Sequence, residues 1–284
     1  MAPHSRLGAA RFASHTHSDS VTTRHAQPIG GSTTTATIRD PTQRGPKLLG
    51  QTVVVIGGSA GIGLETARNA RTEGAEVILT ARNPGRLRDA AYEIGALSSA
   101  AFDASDPNLL AQFFGSLFGP IDHVMVSGTG PRYGRPLEMD PHESRRAFSE
   151  RAVLAFEVAQ NAAGKVRPGG SLVLIGGTGG RRITPGNEIV AAVTAALPAL
   201  TASLALDLAP IRVNLIAPGF VDTPLSARLL GDGLEARRAE LRTRLPIGRV
   251  VGAADVAALA IHLMINTAVT GATYDIDGGQ QFVA

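Results

Sequence analysis

The sequence contains no cysteine and no tryptophan. Without cysteine there is no disulfide, no thiolate metal site and no cysteine nucleophile. Aromatic residues make up 4% of the chain and hydrophobic residues 44%, so the core must be built from Ala, Val, Leu and Ile. Tyrosine occurs three times, as Tyr92, Tyr133 and Tyr274, and lysine twice, as Lys47 and Lys165. No apolar run approaches the ~20 residues of a membrane span, so no membrane insertion is expected.

The basic balance is unevenly spread. Residues 1–49 hold six Lys and Arg against two Asp and Glu, a net +4; the remainder holds 21 against 22, a net −1. The globular part therefore offers no basic footprint for nucleic acid. Residues 1–49 are rich in Ser, Thr, His, Gly and Arg without apolar periodicity, and we expect a disordered extension. Abundant Arg and Ser with few acids is also the composition of an organelle transit peptide; a cytoplasmic location is the simpler expectation. The tail histidines lack metal-ligand spacing, and no metal site is expected.

From residue 50 to 284 a single domain is predicted. Its central feature is Thr52-Val-Val-Val-Ile-Gly57-Gly-Ser59-Ala-Gly61-Ile62-Gly63. A β-branched run ends in glycines, and a helical pattern follows. Such a turn lets backbone approach a ligand closely. The helix start presents N–H groups and a positive dipole end suited to a diphosphate, so a dinucleotide site is predicted. Further apolar strands fall at 77–81, 100–102, 121–126, 171–175, 211–216 and 273–276. Helical patterns lie between them at 84–94, 107–117, 141–166, 187–208 and 253–264, with a looser helical region over 224–244. Apolar strands separated by helices predict an α/β, doubly wound, mainly parallel seven-stranded sheet covered on both faces. The helix at 187–208 is apolar almost all round, so two of its faces should be buried. One faces the sheet; with the 141–166 helix, the other predicts a homodimer or homotetramer. Pro198 inside it should kink it or cost a hydrogen bond.

These motifs resemble the short-chain dehydrogenase/reductase family over about residues 50–282. The glycine turn matches that family's cofactor motif. The resemblance implies that Asp103 meets the adenine amino group and that Ser127-Gly128 stands where the family has Asn-Asn. It further implies that Pro218-Gly219-Phe-Val221-Asp-Thr223 holds the nicotinamide carboxamide, and it matches Asp277-Gly-Gly279 to a C-terminal signature. The second strand ends in Arg82 rather than the acid that binds a ribose hydroxyl. An arginine there suits a 2′-phosphate, and NADP(H) is predicted over NAD(H).

The family's chemistry uses Ser, Tyr and Lys, helped by Asn. By the flanking register, those positions here hold Gly177, Val190, Thr194 and Arg151. Composition agrees: no Tyr-x-x-x-Lys exists in the chain, and no serine lies between Ser171 and Ser203. Replacements would have to come from the same rim of the sheet. The candidates are Tyr133, Thr178 and Glu188, with Arg132, Arg135 and Asn187 nearby. Arg181 and Arg182 together suggest an anionic substrate or a partner. The expectation is an NADP(H)-dependent oxidoreductase with a non-standard proton relay, acting on a small carbonyl, enone or imine. The alternatives are a catalytically silent NADP(H)-binding sensor or partner subunit, and a non-redox isomerase or lyase on the same scaffold.

Overall fold

A computed structural model of the chain describes residues 46–283 except Thr129 and Arg182. The expected extension at 1–45 lies outside the described residues. Seven strands form one sheet: β1 (Thr52–Ile56), β2 (Glu76–Ala81), β3 (Ser98–Ala101), β4 (Ile121–Val126), β5 (Val166–Ile175), β6 (Arg212–Pro218) and β9 (Thr273–Ile276). Their order is β3-β2-β1-β4-β5-β6-β9, and every pairing is parallel. The predicted doubly wound sheet is therefore present. Strand order reverses between β1 and β4, which is where such sheets open a crevice for ligands.

Alternation along β1 explains why both faces are covered. Val54 and Ile56 enter one apolar cluster, and Val53 and Val55 enter the other. The first cluster packs the sheet against α3 (Pro107–Ser116), α5 (Leu154–Ala162) and α6 (Glu188–Asp207); the second packs it against α1 (Gly61–Thr72), α2 (Pro84–Ile94) and α9 (Ala253–Ile265). Each fully buried Val contributes about 1.5–3 kcal/mol. The core is aliphatic apart from Phe113 and Phe114, whose rings meet edge-on at 5.4 Å.

Three expectations shift. The domain begins before residue 50: Leu48 is fully buried and its amide donates to the Glu73 carbonyl at 2.9 Å. The helical region predicted at 141–166 is two helices, α4 (Pro141–Phe148) and α5, joined by a π-helical turn at Ser149–Val153. It stops at Ala162, because Val166 already pairs with Ile121 as the first residue of β5. The third shift concerns α6. Residues 189–206 carry no charge, so by length and composition alone α6 could span a membrane. The expectation that no run was long enough overlooked it. In the fold this helix lays Ile189, Val193, Leu197 and Leu204 into the core. It runs uninterrupted through Pro198, while its other side, with Leu206, is exposed. The Asp207 side chain, at its last turn, makes no hydrogen bond or ion pair among the described residues.

Two buried polar groups tie elements of the fold together. Arg212 at the start of β6 donates to the carbonyls of Leu263 (2.6 Å), Met264 (2.7 Å) and Asn266 (3.0 Å), closing the C-terminus of α9 with a cation. His123 in β4 lies between the Ser171 hydroxyl (2.8 Å) and the Gln51 side-chain oxygen (2.7 Å). Burial, then the Arg212 charge, push its pKa down to about 3. The unfolded chain binds that proton near pH 6.5 and the folded chain does not. Stability should therefore fall as pH drops below about 6.5, at up to about 1.4 kcal/mol per pH unit from this group. Chemical denaturation between pH 7 and pH 4 checks this. The His123→Gln variant should lose about one proton's worth of slope; an unchanged slope would refute the assignment.

Two short strands, β7 (Val221–Asp222) and β8 (Val251–Gly252), form a separate parallel ladder. Between them, α7 (Pro224–Leu230) and α8 (Leu234–Arg244) arch over the C-terminal edge of the main sheet. Arg238 of α8 is bound to Asp222 at 2.6 Å and also pairs with Glu235.

Candidate active site

A cavity of about 900 Å³ opens at the C-terminal ends of β1, β2, β4, β5 and β6. Gly57 takes φ +88°, a left-handed conformation open to glycine, as the chain leaves β1. Its amide and that of Gly58 both donate to the Thr80 carbonyl at 2.9 Å, locking the turn onto β2. A Cβ on Gly63 would lie 2.3 Å from the Gly57 carbonyl oxygen, so only glycine lets α1 start this close to the strand. Gly63 therefore sits behind the cavity, while Gly57, Ser59, Gly61 and Ile62 line it. Neighbouring helices α2, α3 and α4 are capped by Asn83, Asp106 and Asp140, whereas α1 has no side-chain cap. Its N-terminal amides and dipole face the cavity uncovered, which fits an anionic diphosphate.

One end of the cavity is formed by Arg82, Arg86 and Asp103. Arg82 and Arg86 form no salt bridge among the described residues. Asp103 Oδ1 accepts from the Ser105 amide (3.0 Å) and hydroxyl (2.8 Å). Burial raises its pKa, but those bonds and the charges of Arg82 and Arg146 outweigh it and hold the carboxyl below its usual range. It is an ionised acceptor whose Oδ2 takes no hydrogen bond among the described residues.

The middle and far end contain Ser127 and Gly128 after β4, then Pro218, Gly219, Val221 and Thr223. Thr223 caps α7 by accepting from the Ser226 amide at 3.3 Å. Gly177, Val190 and Thr194 also line this end. The Thr194 hydroxyl donates back to its own helix, to the Val190 carbonyl at 2.8 Å and the Ala191 carbonyl at 3.2 Å. A threonine turned onto its own helix cannot take over a lysine's role.

The sequence-derived catalytic candidates separate here. Tyr133 and Thr178 line the cavity; Glu188 does not, and its carboxylate accepts from the Gly186 amide at 2.8 Å. Arg132 is taken up by Glu143 (3.0 Å) and the buried Glu150 (2.9 Å), which Arg146 also reaches at 3.3 Å. This network ties the loop after β4 to the π-helical turn. Arg135 is exposed and pairs with Glu138, and the Asn187 side-chain oxygen accepts from the Thr184 amide. Arg181 is bound to Asp275 and to Gln281, so it does not face the cavity; Arg182 lies outside the described residues. The reason for expecting an anionic substrate therefore loses Arg181.

Sequence reasoning assigned no role to several lining residues. Leu225 and Arg228 come from α7, Arg237 from α8, and Gln280 from the C-terminal turn. The Gln280 side chain accepts from the Phe220 amide at 2.8 Å, joining that turn to the segment after β6. Its place one residue after Asp277-Gly-Gly279 was the available signal. Among the described residues no cluster of His, Asp and Glu could hold a metal ion.

Comparison with known proteins agrees with this geometry. Residues 57–281 match the sequence family described as enoyl-(acyl carrier protein) reductase. The chain is 33% identical over 258 residues to a short-chain dehydrogenase/reductase, ATR9, of Stachybotrys chlorohalonatus, covering 82% of this chain and 98% of that protein. A crystal structure of a small-chain dehydrogenase in complex with NADPH superposes with a TM-score of 0.70 at 29% identity, covering 82% of this chain and 99% of the other. The MalC reductase/Diels-Alderase of Malbranchea aurantiaca superposes with a TM-score of 0.76 at 25% identity, covering 84% and 98%.

Proposed function

Because the chain belongs to the short-chain dehydrogenase/reductase family, we propose that it is an NADP(H)-dependent oxidoreductase that works without that family's Ser, Tyr and Lys. Its substrate is a small carbonyl, enone or imine compound. The observation that carries the cofactor choice is Arg82, which lines the cavity at the end of β2 where a carboxylate would select NAD. Arg82 and Arg86 hold the 2′-phosphate by charge-assisted bonds. The uncapped α1 terminus holds the diphosphate, Asp103 accepts from the adenine amino group, and Pro218–Thr223 orients the nicotinamide carboxamide. When bound, the nicotinamide supplies hydride chemistry.

The protein's own part is to orient the substrate under α7 and α8, exclude water and place a proton. Among the described residues, Tyr133 is the phenol at the cavity, and it holds that proton. Fluorescence titration with NADPH and NADH tests the reading, followed by a panel of ketones, enones and imines. NADPH binding tighter than NADH, with cofactor oxidation on an enone or imine, supports it; no binding of either nucleotide refutes it.

The committed Thr194 hydroxyl and the apolar Val190 favour a second reading, a cofactor-binding partner subunit without turnover. NADPH binding with no reaction across the panel would select it. A non-redox isomerase or lyase activity on the same scaffold is the third, and the similar MalC protein is named both a reductase and a Diels-Alderase. The apolar outer side of α6 and the exposed Phe148, Val153 and Phe156 beside it support a homodimer or homotetramer assembled through this surface.

A further inference from the structure

The loop after β4 is held from three directions. Gly130 lies against Leu225 of α7: a Cβ there would stand 2.9 Å from the leucine Cδ1, so the glycine leaves room for the leucine. At the other end the Gly134 amide donates to the Gly186 carbonyl at 2.8 Å. Between them Arg132 is gripped by the π-helical turn. Its Nε and Nη2 donate to the two Glu150 carboxylate oxygens at 3.2 and 2.9 Å, and its Nη1 donates to Glu143 at 3.0 Å. All three nitrogens of the guanidinium are engaged by acids of this chain.

Glu150 is buried, and Arg146 reaches it as well, at 3.3 Å. Stability alone does not call for a carboxylate there, because apolar replacement of a buried ion pair is often neutral or stabilising. What two planar groups joined by two bonds do supply is a fixed geometry. The turn that carries Glu150 is π-helical, with an extra residue, and such turns recur at functional sites. Its next residue, Arg151, donates from Nη1 to the Gly176 carbonyl at 3.3 Å and lines the cavity.

Tyr133 directly follows Arg132. It is 59% exposed and lines the cavity. Surface loops are ordinarily mobile, but here the residue before the tyrosine is pinned by a charged fork and the residue after it by a backbone bond. Pinning both neighbours fixes where the Tyr133 side chain starts and limits where its phenol can reach.

We infer that Glu150 is a positioning residue: by holding Arg132 in a two-bond fork, it sets the Tyr133 phenol at the substrate end of the cavity. The inference rests on the reading above for Tyr133 as the group that holds the proton. Glu150 does not line the cavity and acts through the loop.

The test uses the absence of tryptophan. With Tyr92→Phe and Tyr274→Phe installed, Tyr133 is the one tyrosine left in the chain, and its fluorescence anisotropy decay reads its motion directly. In this parent the phenol should be confined, turning with the whole protein. Glu150→Gln should add a fast, sub-nanosecond component, the time range of a side chain free to change rotamer. Arg132→Lys, which keeps the charge without the fork, should fall between the two. NADPH oxidation on the ketone, enone and imine panel should drop about 10- to 100-fold in Glu150→Gln, as misplacement by about 1 Å can cost, with NADPH affinity unchanged. In a Tyr133→Phe background the same substitution should cost nothing further, whereas an independent structural effect would add. A Tyr133 as confined in Glu150→Gln as in the parent, or losses that add, overturns the inference. If circular dichroism shows the Gln variant unfolded, Arg132→Lys decides by the same two readouts, and an unchanged anisotropy overturns it. The two readings fail separately. A freed Tyr133 with no turnover in any form sinks the oxidoreductase reading alone, and turnover with a confined Tyr133 in every variant sinks the Glu150 assignment alone.

Discussion

Replacing Arg82 with aspartate will weaken NADPH binding by about 10²-fold or more while leaving NADH binding level or improved. A hydrogen bond to a charged partner is worth roughly 1.5–3 kcal/mol, which alone is about 10- to 150-fold. The substitution also sets a carboxylate against the phosphate, so repulsion adds to the loss. Arg86 remains nearby on α2 and keeps the loss finite. The same carboxylate can accept from the ribose hydroxyls of NADH. Paired fluorescence titrations of wild type and Arg82→Asp read both effects. An unchanged NADPH affinity would show that the 2′-phosphate lies elsewhere, or that the site takes another nucleotide.

The second large effect is a gain. Installing Gly177→Ser, Val190→Tyr and Thr194→Lys together should raise ketone reduction by about 10²–10⁴-fold, the usual contribution of a positioned acid–base group. Backbone geometry permits it: Gly177 is absent from the positive-φ glycines, and a Cβ there makes ordinary contacts at 3.5 Å. Val190 and Thr194 lie one turn apart on α6, and both line the cavity. Arg151 opposes the change, because a lysine at 194 would share that end of the cavity with a guanidinium. Adding Arg151→Asn should therefore raise the rate further. The readout is cofactor oxidation with a simple aromatic ketone, alongside melting temperature and NADPH affinity. A folded, NADPH-binding variant with no ketone turnover would mean that the substrate half of the cavity has been reshaped.

Much of this was legible in the sequence, for definite physical reasons. The glycine turn was legible because few backbone geometries join a buried strand to a helix so closely, and glycine spacing records them. The sheet was legible because parallel strands are apolar on both faces. What escaped depends on contacts between residues far apart in sequence. Arg181 looked like a free cation at the rim, but its partner is Asp275, on the last strand. Glu188 looked like an available base, but its carboxylate folds back onto Gly186. The π-helical turn left no periodic trace, since one extra residue per turn is invisible across two helices of eight and nine residues. Residue 151 could be named from the register; its reach to the Gly176 carbonyl could not.

The β7–β8 ladder has a consequence for how such a protein diversifies. Val221 pairs with Val251 and Asp222 with Gly252, so the chain leaves the scaffold before residue 223 and returns to it after residue 250 at neighbouring points. The stretch between also rests on the scaffold, with Leu241 and Leu245 buried and residues 245–247 set against Gly278 and Gly279. Its contents can be lengthened, swapped or reshuffled while the seam, and with it the nucleotide-facing edge of the sheet, stays put. New chemical tastes can thus be acquired by changing this one insert, provided the residues that seat it, Leu241 and Leu245 among them, are kept.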